Sequence, residues 1–411
     1  MARHTMQDLQ ELQALPLNLK IRLTQQRIRE WVNHWGVDGV YVSFSGGKDS
    51  TVLMDICREM FPNIKAMFVD VPTQYPELRE FVKTYDNVDI TRPKINFVDV
   101  CEKYGFPLIS KEVSESVYAA RKYLTEMEQR EASLTDRQTD RQTDRQTDLP
   151  CAYAMADLLG IERRKKGQEN TDYENLKKGI FPRDARYEHG APVRVLQLFG
   201  KVPHKEKGKE TNEYSERYDK SRYRFFLDAP FEISDKCCKV MKKAPAHTYH
   251  RQTGRVPITA QMASESRLRT AQWIRHSCNV FGSNYPISNP MSFWTEQDVL
   301  LYIKSHNLPI CSVYGEVVTD DEEMGQIDFA QYTGLEIFDR GNQPLHCTGC
   351  QRTGCVCCGF GAHMPGDTRF VDLKETHPQM YKLLDIAKNN GYTMREAIDW
   401  MAEHGDIIIK Y

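Results

Sequence analysis

The chain has 411 residues, with 55 Lys and Arg against 57 Asp and Glu and a formal net charge of -2. That balance gives no global positive field to draw it onto nucleic acid, and no apolar run reaches the roughly 18 residues a bilayer-spanning helix needs. The opening MARHTMQDLQ lacks the apolar stretch of a secretory signal. A cytoplasmic protein with no membrane partner is the expectation, large enough for one big core or two domains.

In chain order, LQELQALPLNLKIRLTQQRIREWVNHW predicts a leading helical region within 1–36, broken early by Pro16. Val40–Tyr41–Val42 reads as a short buried strand, SFSGGKDS as a loop, and STVLMDICREM as a helix. IKAMFVDV, Ile64 to Val71, is a second strand that ends on Asp70 and Pro72. PELREFVKTYD follows as a helix with Pro76 in its first turn. VDITRPKINFVDVCEKYG repeats the pattern of strand then helix. The alternation predicts an α/β fold, an open and mostly parallel sheet, over a domain spanning 37–300.

The middle departs from that rhythm, so a variable helical insertion is expected at about 120–200. Within it, TDRQTDRQTDRQTD (135–148) has no apolar residue and reads as an exposed or disordered tract. Residues 201–224 interleave Lys and Arg with Tyr214, Tyr218 and Tyr223. Five acidic residues there cancel most of the charge, which favours a solvated face over a nucleic-acid surface. FWTEQDVLLYIKSHNLP predicts a helix capped by Thr295 with Asp298 in the capping-box position, and Leu300, Leu301 and Ile303 facing the core. The remainder, 301–411, is a cysteine-rich and helical C-terminal region.

Two motifs carry chemistry. A glycine-rich turn between a strand and a helix N-terminus presents backbone N–H groups to an anion. In Ser45-Gly46-Gly47-Lys48-Asp49-Ser50 the glycines allow close approach, the serines offer hydroxyls, and Lys48 brings a mobile positive charge. Asp49 suits fixing the loop or helping to hold Mg²⁺. The glycine spacing excludes the G-x-x-x-x-G-K-[ST] loop. The second motif is cysteine. Of twelve, seven lie in two groups: Cys237–Cys238, then Cys347, Cys350, Cys355, Cys357 and Cys358. Such crowding points to a soft metal, with an iron–sulfur cluster and Zn²⁺ both open on spacing alone.

SFSGGKDS followed by FVDVPTQYPE resembles the adenine-nucleotide α-hydrolase or PP-loop superfamily, which includes ATP pyrophosphatases and phosphoadenylyl-sulfate reductases. The resemblance implies that Ser45, Gly46, Gly47, Lys48, Asp49 and Ser50 hold phosphate and that Asp70 stands near the adenosine. The paired cysteines and HCTGCQRTGCVCCGFG resemble the iron–sulfur branch of the reductases. This implies a [4Fe–4S] cluster on Cys350, Cys355 and Cys358, completed by Cys237 or Cys238. ITAQMASESRLR resembles the family's substrate-side segment, so Glu265 and Ser266 are expected to orient the ligand and Arg269 to pair with sulfate or phosphate. Lys48, Asp49 and Arg269 are the expected catalytic groups.

Reductases of this fold use a cysteine in a C-terminal tail, and here no cysteine follows Cys358. The first expectation is therefore an ATP-dependent enzyme that adenylylates an acceptor, releases pyrophosphate, and transfers sulfur through the cluster. DNA or tRNA is the expected acceptor, a sulfur donor or thiol reductant the partner, and a homo-oligomer the assembly. The alternatives are a phosphoadenylyl-sulfate (PAPS) or adenylyl-sulfate (APS) reductase, and a non-catalytic nucleotide-sensing subunit of a modification or defence assembly.

Overall fold

The computed structural model describes residues 4–137, 191–200, 202–206, 209–320 and 343–411. The chain divides into two compact units, Met1–Asn96 with Lys239–Val356, and Phe97–Cys238 with Cys357–Tyr411. No helix among the described residues is long and apolar enough to cross a membrane.

The first unit begins with α1 (Met6–Gln13) and α2 (Leu17–Trp35), and Pro16 is the residue between them. In α2, Ile28, Trp31 and Val32 recur at helical spacing and are buried, so one stripe of the helix faces the core. Next come β1 (Val40–Ser43) and α3 (Lys48–Met60), β2 (Ala66–Val69) and α4 (Pro76–Lys83), and β3 (Val88–Thr91). The sheet runs β3-β2-β1, then Val256–Ile258, Ile287–Ser288 and Asn279–Val280. All its pairings are parallel except the last. The expected mostly parallel α/β fold is therefore present. β1 sits between β2 and Val256–Ile258, so chain order reverses there, and such a switch point opens a crevice at the strand C-termini.

The core beneath the sheet gathers Val40, Val42, Val52, Leu53, Ile56, Phe68, Trp31 and Trp294. Among its described residues this unit buries both partners of the Lys20–Asp298 ion pair. Lys20 Nζ donates to both oxygens of Asp298 at 2.7 and 2.6 Å, and to the Gln13 carbonyl at 2.7 Å. Asp298 also closes the predicted capping box of helix Glu296–Ser305, accepting the Thr295 N–H at 2.7 Å. One core expectation fails on this helix: Leu300 and Ile303 are buried but Leu301 is exposed. With Val299, Leu300, Tyr302 and Ile303 all inward, a 100° step leaves Leu301 on the opposite face.

In the second unit, Leu108–Ile109 pairs in parallel with Gly359–Phe360, and helix Lys111–Arg137 follows. Phe225, Phe226 and Phe231 surround Trp400 of helix Met394–Gly405. Buried Asn389 ties three backbone groups, donating to the Cys101 and Glu102 carbonyls and accepting the Glu232 N–H. Within the basic 201–224 stretch, Lys220 turns inward and meets Glu112 at 2.8 Å. Apart from 135–137 at the end of their helix, the TDRQ residues lie outside the described residues.

Candidate functional site

The loop at the end of β1 is held by its own side chains. Gly46 adopts φ +73°, and a Cβ there would lie 3.1 Å from Val82 and 3.3 Å from Leu78 of α4. Glycine is required on both counts. The Gly47 N–H donates to Ser45 Oγ at 3.3 Å. Ser50 Oγ donates to the Gly47 carbonyl at 2.9 Å and accepts the Ser45 N–H at 3.1 Å. The Ser45 hydroxyl then donates to Ser50 Oγ at 2.9 Å. Both serines therefore shape the loop, and Gly47 is the residue from which α3 starts.

Lys48 is buried and reaches across to later segments. Its Nζ donates to Glu296 Oε1 at 2.8 Å and to the Gln351 carbonyl at 2.6 Å. Its backbone N–H donates to the Tyr314 hydroxyl at 3.1 Å, and that hydroxyl meets Thr353 Oγ1 at 2.6 Å. Burial pushes the Tyr314 hydroxyl above its ordinary range. Asp49 Oδ1 is buried and makes no hydrogen bond among the described residues. Its carboxyl is raised by burial, against the pull of Lys48 and, further down, Arg352 and Arg269, while Glu296 adds to the rise.

From the neighbouring strand Val256–Ile258 the chain leads to Ala263–Glu265 and then helix Arg267–His276. Ser266 is the N-cap of that helix and accepts the Arg269 N–H at 3.3 Å. Glu265 accepts the Met262 N–H at 2.9 Å and is ion-paired with Arg269. Glu265 and Ser266 thus position Arg269, whose charge acts on Asp49. Lys48, Arg269 and Arg352 stand against Asp49, Glu296 and Glu265, a set whose formal charges cancel. An anion entering here meets neutral surroundings in which Asp49 is the carboxyl that burial disposes to protonation.

Asp70, one residue past β2, is buried beneath two arginines. Arg79 Nε donates to Oδ1 at 2.8 Å and Arg92 Nε to Oδ2 at 2.9 Å. Burial raises the carboxyl, but the Arg92 and Arg79 hydrogen bonds outweigh it and hold Asp70 below the usual aspartate range. Sequence reading missed both arginines, and also Glu296, Tyr314, Gln351 and Thr353. The partners of Lys48 lie some 250 to 300 positions away in the chain, and no local pattern signals such contacts.

The cysteines do not assemble as expected. Among the described residues no group of three or more His, Cys, Asp or Glu side chains is placed to hold a metal ion. Iron–sulfur clusters and tetrahedral zinc both need several thiolates converging on one centre. Here the Cys350 thiol acts on those of Cys347 and Cys311, yet among the described residues they do not converge on one metal centre. Cys350 Sγ lies 2.9 Å from the Arg352 carbonyl and 3.9 Å from the Tyr75 hydroxyl. Cys357 faces the Met380 carbonyl at 3.8 Å. Cys347 is buried, and burial pushes its thiol up. Cys350 and Cys355 belong to the first unit, and Cys237, Cys238 and Cys358 to the second.

The expected [4Fe–4S] cluster on Cys237 or Cys238 with Cys350, Cys355 and Cys358 is therefore overturned, as are the Zn²⁺ alternative and the iron–sulfur branch of the resemblance. Among the described residues no three-ligand set for Mg²⁺ forms around Asp49 either. Without such a centre, the cluster-assisted sulfur transfer expected to follow adenylylation has no path through these residues.

The family model for the phosphoadenosine phosphosulfate reductase domain matches residues 39–140 and 194–359. The chain belongs to that family. It is 28% identical over 144 residues to the adenosine 5'-phosphosulfate reductase of Neisseria meningitidis serogroup B, a match covering 34% of this chain and 57% of that protein. The chain thus spans a little over half the length of this relative. The phosphate complex of phosphoadenylyl-sulfate reductase from Candida auris aligns over 75% of this chain and 90% of its own, at 11% identity and a TM-score of 0.30.

Proposed function

We propose that the Ser45–Ser50 loop binds the phosphate–sulfate anhydride of an adenylyl-sulfate nucleotide and that the protein reduces it with thiols to sulfite. One observation carries this reading: the glycine loop caps the central strand with a buried lysine beside it, in a chain of the sulfonucleotide reductase family. In the reaction a thiolate attacks the sulfuryl sulfur, the S–O bond to phosphate breaks, and the nucleoside phosphate leaves with that electron pair. A second thiol attacks the thiol-bound sulfonate, a disulfide closes, and sulfite departs with two electrons. Each thiol releases one proton.

Lys48 stabilises the departing phosphate after exchanging Glu296 or the Gln351 carbonyl for it. Arg269 faces the same charge. Cys350 is the first thiol in this reading. It is half-buried and stands one residue before the carbonyl that Lys48 holds. The second thiol comes from a small dithiol or a redox protein.

The test is sulfite release from adenylyl sulfate, with and without a 3'-phosphate, in the presence of dithiothreitol. Lys48→Ala is expected to lower the rate by about a hundredfold or more, in keeping with the loss of a charged donor at the developing negative charge. Cys350→Ser is expected to abolish sulfite release and retain nucleotide binding. Full activity in Cys350→Ser would move the first thiol elsewhere. Nucleotide binding without any sulfite in the native protein would favour the sensing role.

A further inference from the structure

We infer that helix Ala244–Thr253 and the neighbouring turn 281–285 form a binding surface for single-stranded nucleic acid, with Lys243 and Arg251 on its phosphates and the Tyr285 ring stacked on a base. The surface is separate from the sulfonucleotide site and uses the other end of the same sheet. Strand Val256–Ile258 runs parallel to β1 and to Ile287–Ser288. Ser45–Ser50 follows the C-terminal end of β1, whereas Arg251 and Tyr285 lie a few residues before the N-terminal ends of the other two strands.

The chain as a whole is near neutral, but its charge is unevenly spread. Residues 239–295 carry eight Lys and Arg against a single carboxylate, Glu265, which Arg269 already takes. Within that stretch Lys243, Arg251, Arg267 and Arg275 are exposed, and none of the four is ion-paired among the described residues. Exposed cations without acidic counterparts keep their field for an outside polyanion. Lys243, at the N-cap of the helix, His247 and Arg251 follow at four-residue steps and so share one face. Burial lowers the His247 imidazole, and Lys243, His250 and Arg251 push it the same way. Asp89 of β3, the strand packed against this helix, is taken by the Tyr249 hydroxyl at 2.7 Å and by Lys65 at 3.3 Å.

The turn supplies the aromatic part. Phe281 to Tyr285 are exposed in succession, and the Tyr285 N–H donates to Ser283 Oγ at 3.2 Å. The Tyr285 ring meets His247 edge-on with centroids 4.3 Å apart, and His250 at 5.9 Å. These contacts hold the ring beside the cations, yet Tyr285 stays 50% exposed. A fixed, open ring among cations suits an unpaired base, and stacking asks little of base identity. A duplex keeps its base faces inside and offers such a ring nothing to stack on. Lys243 and Arg251 stand about 12 Å apart along the helix, about three nucleotides at a stacked rise of about 3.4 Å.

Fluorescence anisotropy with a short mixed-sequence oligonucleotide, as single-stranded RNA, single-stranded DNA and DNA duplex, tests this beside heparin, a polyanion without bases. The single strands are expected to bind about tenfold more tightly than the duplex. Tyr285→Ala is expected to cost the single strands about tenfold and heparin nothing, while Tyr285→Phe keeps the native affinity. Replacing Lys243 and Arg251 together by alanine is expected to weaken both ligands. It also lowers the slope of log affinity against log salt for the single strands by about 1.4, two phosphates at about 0.7 each. Urea unfolding midpoints equal to that of the native protein show that the variants fold. The surface is overturned by no single-strand binding at low salt, by a duplex bound as tightly, or by an unchanged salt slope in the double variant. Native single-strand affinity in Tyr285→Ala, or an equal loss for heparin, also overturns it. Each of these results leaves the sulfonucleotide reading standing.

Discussion

The Ser45–Ser50 loop and the late cysteine segment are both dense in reactive side chains, yet they fold by opposite logic. Ser45, Gly47 and Ser50 bond to one another within six residues, so the loop is shaped wherever its strand and helix form. The thiols of Cys350 and Cys357 instead meet carbonyls or a phenol, and Cys347 is buried. What Cys350–Thr353 contribute to the loop is backbone and hydroxyl: the Gln351 carbonyl takes the Lys48 ammonium and Thr353 pairs with Tyr314. A motif closed by its own residues survives as a prediction. A ligand set that needs distant segments to converge does not follow from spacing.

That contrast can be broken at either end. The largest effect is expected at Gly46. Gly46→Val puts a β-branched residue at φ +73° with its Cβ 3.1 Å from Val82, and is expected to cost about 3 kcal/mol in urea unfolding through strain and overpacking. A loss under about 1 kcal/mol would mean that the loop is not held in this conformation.

Asp49→Asn is expected to act through pH. Burial raises the folded carboxyl above its unfolded value, so the folded state binds the proton more tightly. Native stability then declines as pH rises from the ordinary aspartate range through the raised value. The Asn variant is expected to lose that decline, measured as Tm against pH, and parallel profiles for the two proteins would contradict it. The smallest effect belongs to the cysteine segment. Cys355→Ala is expected to change stability by less than about 1 kcal/mol and to leave nucleotide titrations unchanged. A loss of several kcal/mol together with loss of bound iron would show that the thiols share a centre after all.

Much of the first unit was legible because its signals are local. Pro16 divides the leading helices, an apolar triplet before two glycines marks β1 and its loop, and Thr295 with Asp298 caps a helix. Leu301 misled because three apolar residues in a row do not reveal which one a helix turns outward. Glu296 sits in a helix whose visible role is packing, and Arg79 and Arg92 look like ordinary surface arginines until Asp70 is seen beneath them. Glu265, Ser266 and Arg269 were singled out by resemblance alone, and their bonds show the first two holding the third. The cysteines misled most, because C-x2-C spacing describes only the near half of a metal site.

The most direct measurement is a single turnover of 3'-phosphorylated adenylyl sulfate with a dithiol, following sulfite and nucleoside phosphate together. Sulfite and adenosine 3',5'-bisphosphate appearing in equal amounts, and neither appearing once Lys48 is replaced by alanine, is the predicted result. Pyrophosphate released from ATP, with no sulfite from either sulfonucleotide, would contradict it.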